Sequence, residues 1–344
     1  MANHRPLGWG VIGATSAVAR LAILPALRDS PTARLVSVAS LSSDLGAEGR
    51  FGAPRSHRRY EEVLEDPDVE AVYVPLPNSM HAEWVGRAAA AGKHILCEKP
   101  LGRTAAEAAA MVEEARSAGV VLVEAYMTPF HPRTRLMQEV VRSGRLGDLR
   151  FGRCAFTGIL GRPDDHRWRP EMGGGCLLDV GIYCTAPLVA AAGGPPLRVA
   201  GAAEWTPGGV DSSFSGWLDF GGGFSAAIEC SFEVPERQQV ELVGTEACLT
   251  MERTFTPGRA DTSLRLLHRS GSVEELRTDG ADPYLLMVEH FAAVVRGDVE
   301  QPDWSLDRTV EVAGVLDRLL AAARTPEPQI SAESAESAES AKGA

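Results

Sequence analysis

The first part of the chain alternates short apolar runs with longer stretches of helical spacing. "LGWGVIGA" (7–14) predicts a buried strand running into a turn, and "AVARLAILPALRDS" (17–30) repeats Ala and Leu at helical intervals. "ARLVSVASL" (33–41) predicts a second strand, followed by a polar break and a helix reaching about Phe51. A short helix is expected within 57–69, a strand at 69–77, a helix at 79–92, a strand at 94–98, a long helix at 104–119 and a strand at 120–127. Strands alternating with such helices make βαβ units and a parallel sheet.

The pattern changes after about residue 130. A helix at 133–143 and a glycine-rich helix at roughly 173–192 precede a run of strand-like segments: "LRVAGAAEW", "SSFSGWLDF", "FSAAIECSF", "QQVELVG", "ACLTMER", "SLRLLHR" and "SVEELRT". Gly, Pro and Asp turns join them, which predicts a mostly antiparallel sheet. Helices at 283–296 and 305–324 follow. The repeat "SAESAESAESAKGA" (331–344) has too few apolar groups to fold and is expected to be disordered. The fold class is therefore α/β, with a parallel-sheet domain at 1–127, an α+β domain carrying a large open sheet at 128–326, and a tail at 327–344.

Composition sharpens this picture in three ways. A length of 344 residues exceeds what one core usually holds, consistent with two domains. A net charge of −12 argues against nucleic acid or an anionic membrane as a bulk partner. The six cysteines (Cys97, Cys154, Cys176, Cys184, Cys230 and Cys248) form no CxxC pair and read as reduced core thiols. With no signal-peptide pattern at the N-terminus and no window of about 18 apolar residues, a cytoplasmic location is expected.

Candidate chemistry begins at "GVIGATSAVAR", between the first strand and first helix, where a dinucleotide fold places its glycine turn against the pyrophosphate. Gly13 fits that fingerprint. Ala14, Thr15 and Ser16 complete the turn, with Thr15 where a second glycine would stand. A tight turn without nucleotide is the plain alternative. The second strand ends at Ser40, Leu41 and Ser42 with no acid at the first positions. This leans toward NADP over NAD, although no positive charge accompanies it there. No metal signature and no P-loop lysine are present.

Four further stretches combine with that turn: "VPLPNSMHAE" (74–83), "CEKPLGRT" (97–104), "VEAYMTPFHP" (123–132) and "RWRPEMGGGCLLDVGIY" (167–183). Together they resemble the family of glucose–fructose oxidoreductase, inositol dehydrogenase and their relatives (Gfo/Idh/MocA). The match is to the tyrosine-type branch of dimeric dihydrodiol dehydrogenase and nucleotide-sugar 3-ketoreductases, across residues 7 to about 325. The resemblance implies a Rossmann domain, an open-sheet α/β domain, and a nicotinamide between them. It implies that Lys99 of "EKP" lies beside the reacting carbon, that Pro75, Asn78 and His81 contact cofactor, and that Glu98 lies near the nicotinamide end. It also implies that the loop carrying Arg162, His166, Arg167 and Trp168 borders the substrate.

Asp179 and Tyr183 stand four residues apart on the expected helix and so share a face. Where many relatives carry histidine, this chain has Tyr183. An ammonium near a tyrosine lowers its pKa by favouring phenolate. The expectation is a Tyr183–Lys99 proton-transfer pair tuned in this way, with Asp179 orienting a substrate hydroxyl. Tyr183 as a core tyrosine, Asp179 as a structural carboxylate, His81 as a helix-start residue and the 162–168 loop as a salt-bridged interdomain segment are the competing structural roles.

The expected activity is NAD(P)-dependent hydride transfer to or from a sugar, cyclitol or related polyol. Alternatives are a nucleotide-sugar 3-ketoreductase and a cofactor-binding sensor without catalysis. Phe214, Trp217, Phe220, Phe224, Ile228 and Phe232 read as apolar residues on both faces of the large sheet, so a homodimer or homotetramer through that sheet is expected.

Overall fold

In a computed structural model, described at residues 5–41, 51–299 and 304–324, the N-terminal half builds a six-stranded sheet. Its strands are β1 (Leu7–Ile12), β2 (Ala33–Ala39), β3 (Arg55–His57), β4 (Ala71–Val74), β5 (His94–Cys97) and β6 (Leu122–Glu124). They lie in the order β3-β2-β1-β4-β5-β6, and every pairing is parallel. The connecting helices are α1 (Leu24–Asp29), entered through wide turns at Ala19–Ile23, then α2 (Glu61–Glu65), α3 (His81–Ala90) and α4 (Ala105–Ser117). Strand order reverses between β1 and β4. In open α/β sheets, ligands bind in the crevice beyond the strand ends at such a point. The helix expected between 42 and Phe51 falls largely outside the described residues, as do Ser42 and the tail at 327–344. The short strand β3 had no sequence signal.

The second half, after α5 (Pro132–Arg142), is organised around β7 (Leu149–Ile159), α6 (Ile182–Ala192), β8 (Arg198–Trp205), β9 (Asp211–Gly221), β10 (Phe224–Ser231), β11 (Glu233–Gly244), β12 (Ala247–Glu252), β13 (Thr262–His268) and β14 (Val273–Thr278). The eight strands run β14-β13-β12-β11-β7-β10-β9-β8. All neighbours are antiparallel except β7 and β10. The expected strands are present, but β7, which lies inside the sheet, was not anticipated.

The expectation of apolar residues on both sheet faces is corrected by register. Side chains in a strand alternate faces, and β10 pairs Cys230 with Phe214 and Ile228 with Gly216, so even positions share one face. Phe214, Phe224 and Ile228 are buried there, Phe220 stacks on Phe224 at 4.9 Å, and Phe232 is buried beyond the end of β10. Only Trp217 of the six faces outward, at 42% exposure. The outer face around it is charged, with Glu229 accepting from both Arg153 and Arg237.

The segment 170–192 corrects a second expectation. By length and mean hydropathy (1.6) it is apolar enough to cross a membrane, yet 67% of its most apolar window is buried inside the fold. It is the core helix of the second sheet, and it delivers Asp179 and Tyr183. The last helices join both halves. α7 (Pro283–Val295) packs on α1 and β2, while α8 (Leu306–Arg324) packs on β8 and α6 as well as on α4 and β6. Phe291 of α7 meets Trp9 of β1 at 4.9 Å between ring centroids. Burying such a side chain contributes about 1.5–3 kcal/mol.

Candidate active site

The site forms where β1, β4, β5 and β6 end. Gly13 follows β1 with φ +92, and a Cβ there would stand 2.8 Å from Leu76 Cδ2. Only glycine lets this turn close against the chain after β4. The N–H groups of Gly13 and Ala14 both donate to Ala39 O, and Thr15 Oγ1 meets Ser40 Oγ at 2.7 Å. The turn, including Ser16 whose hydroxyl accepts from Ala19 N, is therefore fixed to the tip of β2. Pro75 is buried beneath it.

After β5 come Glu98, Lys99 and a cis Lys99–Pro100 peptide. Lys99 Nζ donates to Asp179 Oδ1 and to the Asp179 carbonyl, each at 2.7 Å. Arg167 Nη1 reaches the other Asp179 oxygen at 3.2 Å and is itself held by Asp165. Burial alone would raise the Asp179 pKa, but the flanking Lys99 and Arg167 charges bring it below the ordinary range. Asp165 is brought down to about 2 in the same way, by hydrogen bonds and charge from Arg167 against the cost of burial.

The Lys99 ammonium lies 5.1 Å from the centroid of the Tyr183 ring. Tyr183 sits in an aromatic box of Tyr126 (5.4 Å), Phe156 (5.3 Å) and Phe255 (5.3 Å), and its hydroxyl donates to Met127 Sδ at 3.6 Å. The expected lowering of its pKa does not occur: burial pushes it well above the ordinary value, and the nearby acids Glu98 and Asp179 push the same way. Lys99 does not offset this, its ammonium being committed to Asp179.

The model of an oxidoreductase family with an NAD-binding Rossmann fold matches residues 7–126, and that of the GFO/IDH/MocA C-terminal domain matches residues 134–250. A dTDP-3,4-didehydro-2,6-dideoxy-alpha-D-glucose 3-reductase of Saccharopolyspora spinosa is 37% identical over 302 residues, covering 85% of this chain and 89% of that protein. The chain belongs to the Gfo/Idh/MocA oxidoreductase family. A D-xylose 1-dehydrogenase (NADP(+)) of Haloferax volcanii is 32% identical over 92% of this chain and 97% of its own length. Among solved structures, the 3-ketoreductase KijD10 of Actinomadura kijaniata, in complex with NADP and TDP-benzene, superposes with a TM-score of 0.85 at 29% identity, covering 92% of this chain and 98% of that one. The protein is thus an oxidoreductase whose N-terminal half is a dinucleotide-binding Rossmann fold.

Within this member of the family, the remaining candidates divide by exposure. Glu98 is buried, accepts from the Tyr73 hydroxyl and from Lys99 N, and burial pushes its carboxyl up to about 7. Asn78 Nδ2 donates to Gly173 O at 2.8 Å, bracing the chain after β4 against the glycine run. His81 departs from its expected cofactor contact. It is fully buried, with Nε2 2.9 Å from Leu76 O and Nδ1 3.1 Å from Pro100 O, so both ring nitrogens face backbone carbonyls. Burial holds its pKa below the usual value. The ring braces the Pro75–Leu76 and Pro100–Leu101 turns and presents no polar atom to a ligand.

In the loop of residues 162–168, Arg162 is exposed, His166 lies 3.4 Å from Asp165, and Trp168 packs edge-on against Phe232 at 5.3 Å. Trp168 also lines an open cavity of about 450 Å³ with Leu160, Pro163, Thr206 and Glu233. Tyr73, Asp165, Phe156 and Phe255 were missed by sequence reasoning, because nothing local marks them. Among the described residues, no three His, Cys, Asp or Glu side chains converge to hold a metal.

Proposed function

We propose that the protein is an NADP-linked reductase of sugar carbonyls in which Tyr183 and Lys99 handle the proton. The observation that carries this reading is the Lys99 ammonium, clamped by Asp179 beyond the end of β5 with the Tyr183 ring 5.1 Å away. When bound, the reduced nicotinamide supplies the hydride. The turn after β1, which only glycine at 13 lets close against Leu76, would hold the pyrophosphate ahead of the following helix. Tyr183, kept neutral by burial, holds its proton at Oη and gives it to the substrate oxygen, while Lys99 polarises that oxygen. Burial keeps Tyr183 protonated at neutral pH, so the proton is in place for the reductive direction, in which it passes to the alkoxide forming on the substrate oxygen. Asp179 fixes the ammonium and accepts from a substrate hydroxyl, and Trp168 offers a flat apolar surface to a sugar ring.

Two observations support NADP. Ser40 and Leu41 provide no acid at the tip of β2, and β3 pairs His57 with Ala39, so the exposed Arg58 emerges beside that tip. An arginine there suits a 2′-phosphate. The nucleotide-sugar 3-ketoreductase reading is favoured by the Saccharopolyspora and Actinomadura relatives and is the second reading kept. The clustering of Lys99, Asp179 and Tyr183 weighs against a sensor, which needs no proton donor.

The test is turnover, with NADPH and with NADH, of a panel holding aldoses and a dTDP-linked 3-keto sugar, the aldoses being assayed with NADP⁺ and NAD⁺. Preference for the phosphorylated cofactor is expected, and Lys99→Met and Tyr183→Phe each lower kcat by about 10²–10⁴-fold. Cofactor binding without turnover of any member favours the sensor and sinks this reading. We also infer a domain boundary near residue 127, which the limits of the two family-model matches support. Exposed Phe151, Trp217 and Leu267 on the outer face of the second sheet support a homodimer, and a monomer in sedimentation would overturn it.

A further inference from the structure

Glu124 ends β6, in register with Cys97 of β5, and is 2% exposed. Three donors fill its carboxylate. Leu101 N donates to Oε1 at 2.8 Å, while Trp304 Nε1 and Thr309 Oγ1 both donate to Oε2 at 2.8 Å. A protonated carboxyl would need an acceptor for its own hydrogen, whereas an ionised one accepts all three. These three partners are neutral, and among the described residues no cation forms an ion pair with the carboxylate. Burial pushes its pKa up, opposed by these hydrogen bonds and by the charge of Lys99.

Those contacts reach both halves of the proposed proton-transfer pair. Leu101 closes the turn that carries Lys99, and the same turn is braced on its other side by His81 against Pro100 O and Leu101 O. Trp304 stacks edge-on against Tyr126 at 4.8 Å, and Tyr126 against Tyr183 at 5.4 Å. One side chain therefore pins the lysine turn directly and the wall of the tyrosine box through one indole. Thr309 ties it to α8, the helix that also packs on the second sheet.

We propose that Glu124 is a positioning residue that sets the placement of Lys99 relative to Tyr183, by holding the Leu101 N–H and the Trp304 indole at once. It touches neither substrate nor cofactor and acts through these two groups. The inference rests on the Lys99–Tyr183 reading above. Glu124→Gln keeps an acceptor at one of the two oxygen positions and turns amide hydrogens toward the donors at the other, either Leu101 N or the Trp304 and Thr309 pair. Phenylalanine at 304 keeps the ring and removes the link.

The test uses the full chain with Glu124→Gln, Trp304→Phe and the double variant, assayed where each is folded by circular dichroism. Three quantities are read: the NADPH dissociation constant, kcat on the substrate from the panel that wild type reduces, and the rate at which trinitrobenzenesulfonate labels Lys99, followed by peptide mass spectrometry. Glu124→Gln is expected to lower kcat about ten- to a hundredfold, because small misplacements cost this much. It should change Lys99 labelling severalfold and leave NADPH affinity as it was. Trp304→Phe shifts kcat and labelling the same way, and the double variant falls no further than Glu124→Gln, as expected for one shared linkage. A carboxylate with only a structural role would lower the unfolding midpoint and leave kcat and labelling at wild-type values, and that result overturns the proposal. Additive losses in the double variant count against it too. Should Glu124→Gln fail to fold, Trp304→Phe decides on the same readouts. Should wild type reduce no member of the panel, the functional reading is what fails, and Lys99 labelling still decides this one.

Discussion

Asp211 shows how a single remote side chain sets the candidate site. It is buried on β9, and its Oδ2 accepts from Leu177 N at 2.6 Å and from the Cys176 thiol at 3.1 Å. It thereby caps the start of the segment that presents Asp179 and Tyr183. The cap fits because the preceding residue is glycine. Gly175 has φ +116, and a Cβ there would stand 2.2 Å from Asp211 Oδ1. Gly175→Ala imposes both a strained backbone, about 1–3 kcal/mol, and loss of a helix cap, about 1 kcal/mol. The expected outcome is a fall of about 2–4 kcal/mol in unfolding free energy, read as a lower urea midpoint at unchanged slope. On the role proposed for Tyr183, turnover should fall with it, since the capped segment carries that residue. A midpoint equal to wild type would remove Asp211 from this role.

Elements were legible in the sequence where their side chains repeat a local period, and illegible where neighbours far along the chain decide. The parallel sheet could be read because β1, β2, β4 and β5 are apolar on both faces and separated by helical spacing. β7 could not, because Arg150, Gly152, Arg153 and Gly158 break its apolar run. It is held as a strand by β10 and β11, more than 60 residues away in sequence. The site divides in the same way. Lys99, Asp179 and Tyr183 stand in motifs, so the sequence pointed to them. Their supports do not: 180 residues separate Glu124 from Trp304, and nothing local marks Phe156 or Phe255 as walls of the tyrosine box. The direction of the Tyr183 pKa shift was misread for the same reason. Proximity to an ammonium can be inferred from motifs, but the aromatic box that desolvates the phenol comes from β7, the Tyr126 turn and Phe255.

Over the whole molecule, two buried groups tie stability to pH with opposite signs. Burial raises Glu98 from 4.5 to about 7. The folded state therefore binds more protons than the unfolded state between those values, and stability falls as pH rises through them. His131 is the reverse case. Burial lowers it from 6.5 to about 4, and its Nδ1 caps α5 by accepting from Arg133 N, so the ring is held neutral. The folded state then binds fewer protons between about pH 4 and 6.5, and stability is lost as pH falls through that window. Each shift corresponds to about 3 kcal/mol. From pH 4.5 to 6.5 the two slopes cancel in the wild type. Removing one group should expose the other: Glu98→Gln leaves stability rising with pH across this window, and His131→Asn, which keeps a capping oxygen, leaves it falling. Other titrating groups are common to all three proteins, so the difference between urea midpoints measured along the window isolates the pair. Parallel profiles for both variants and wild type would show that neither group is shifted in the folded protein.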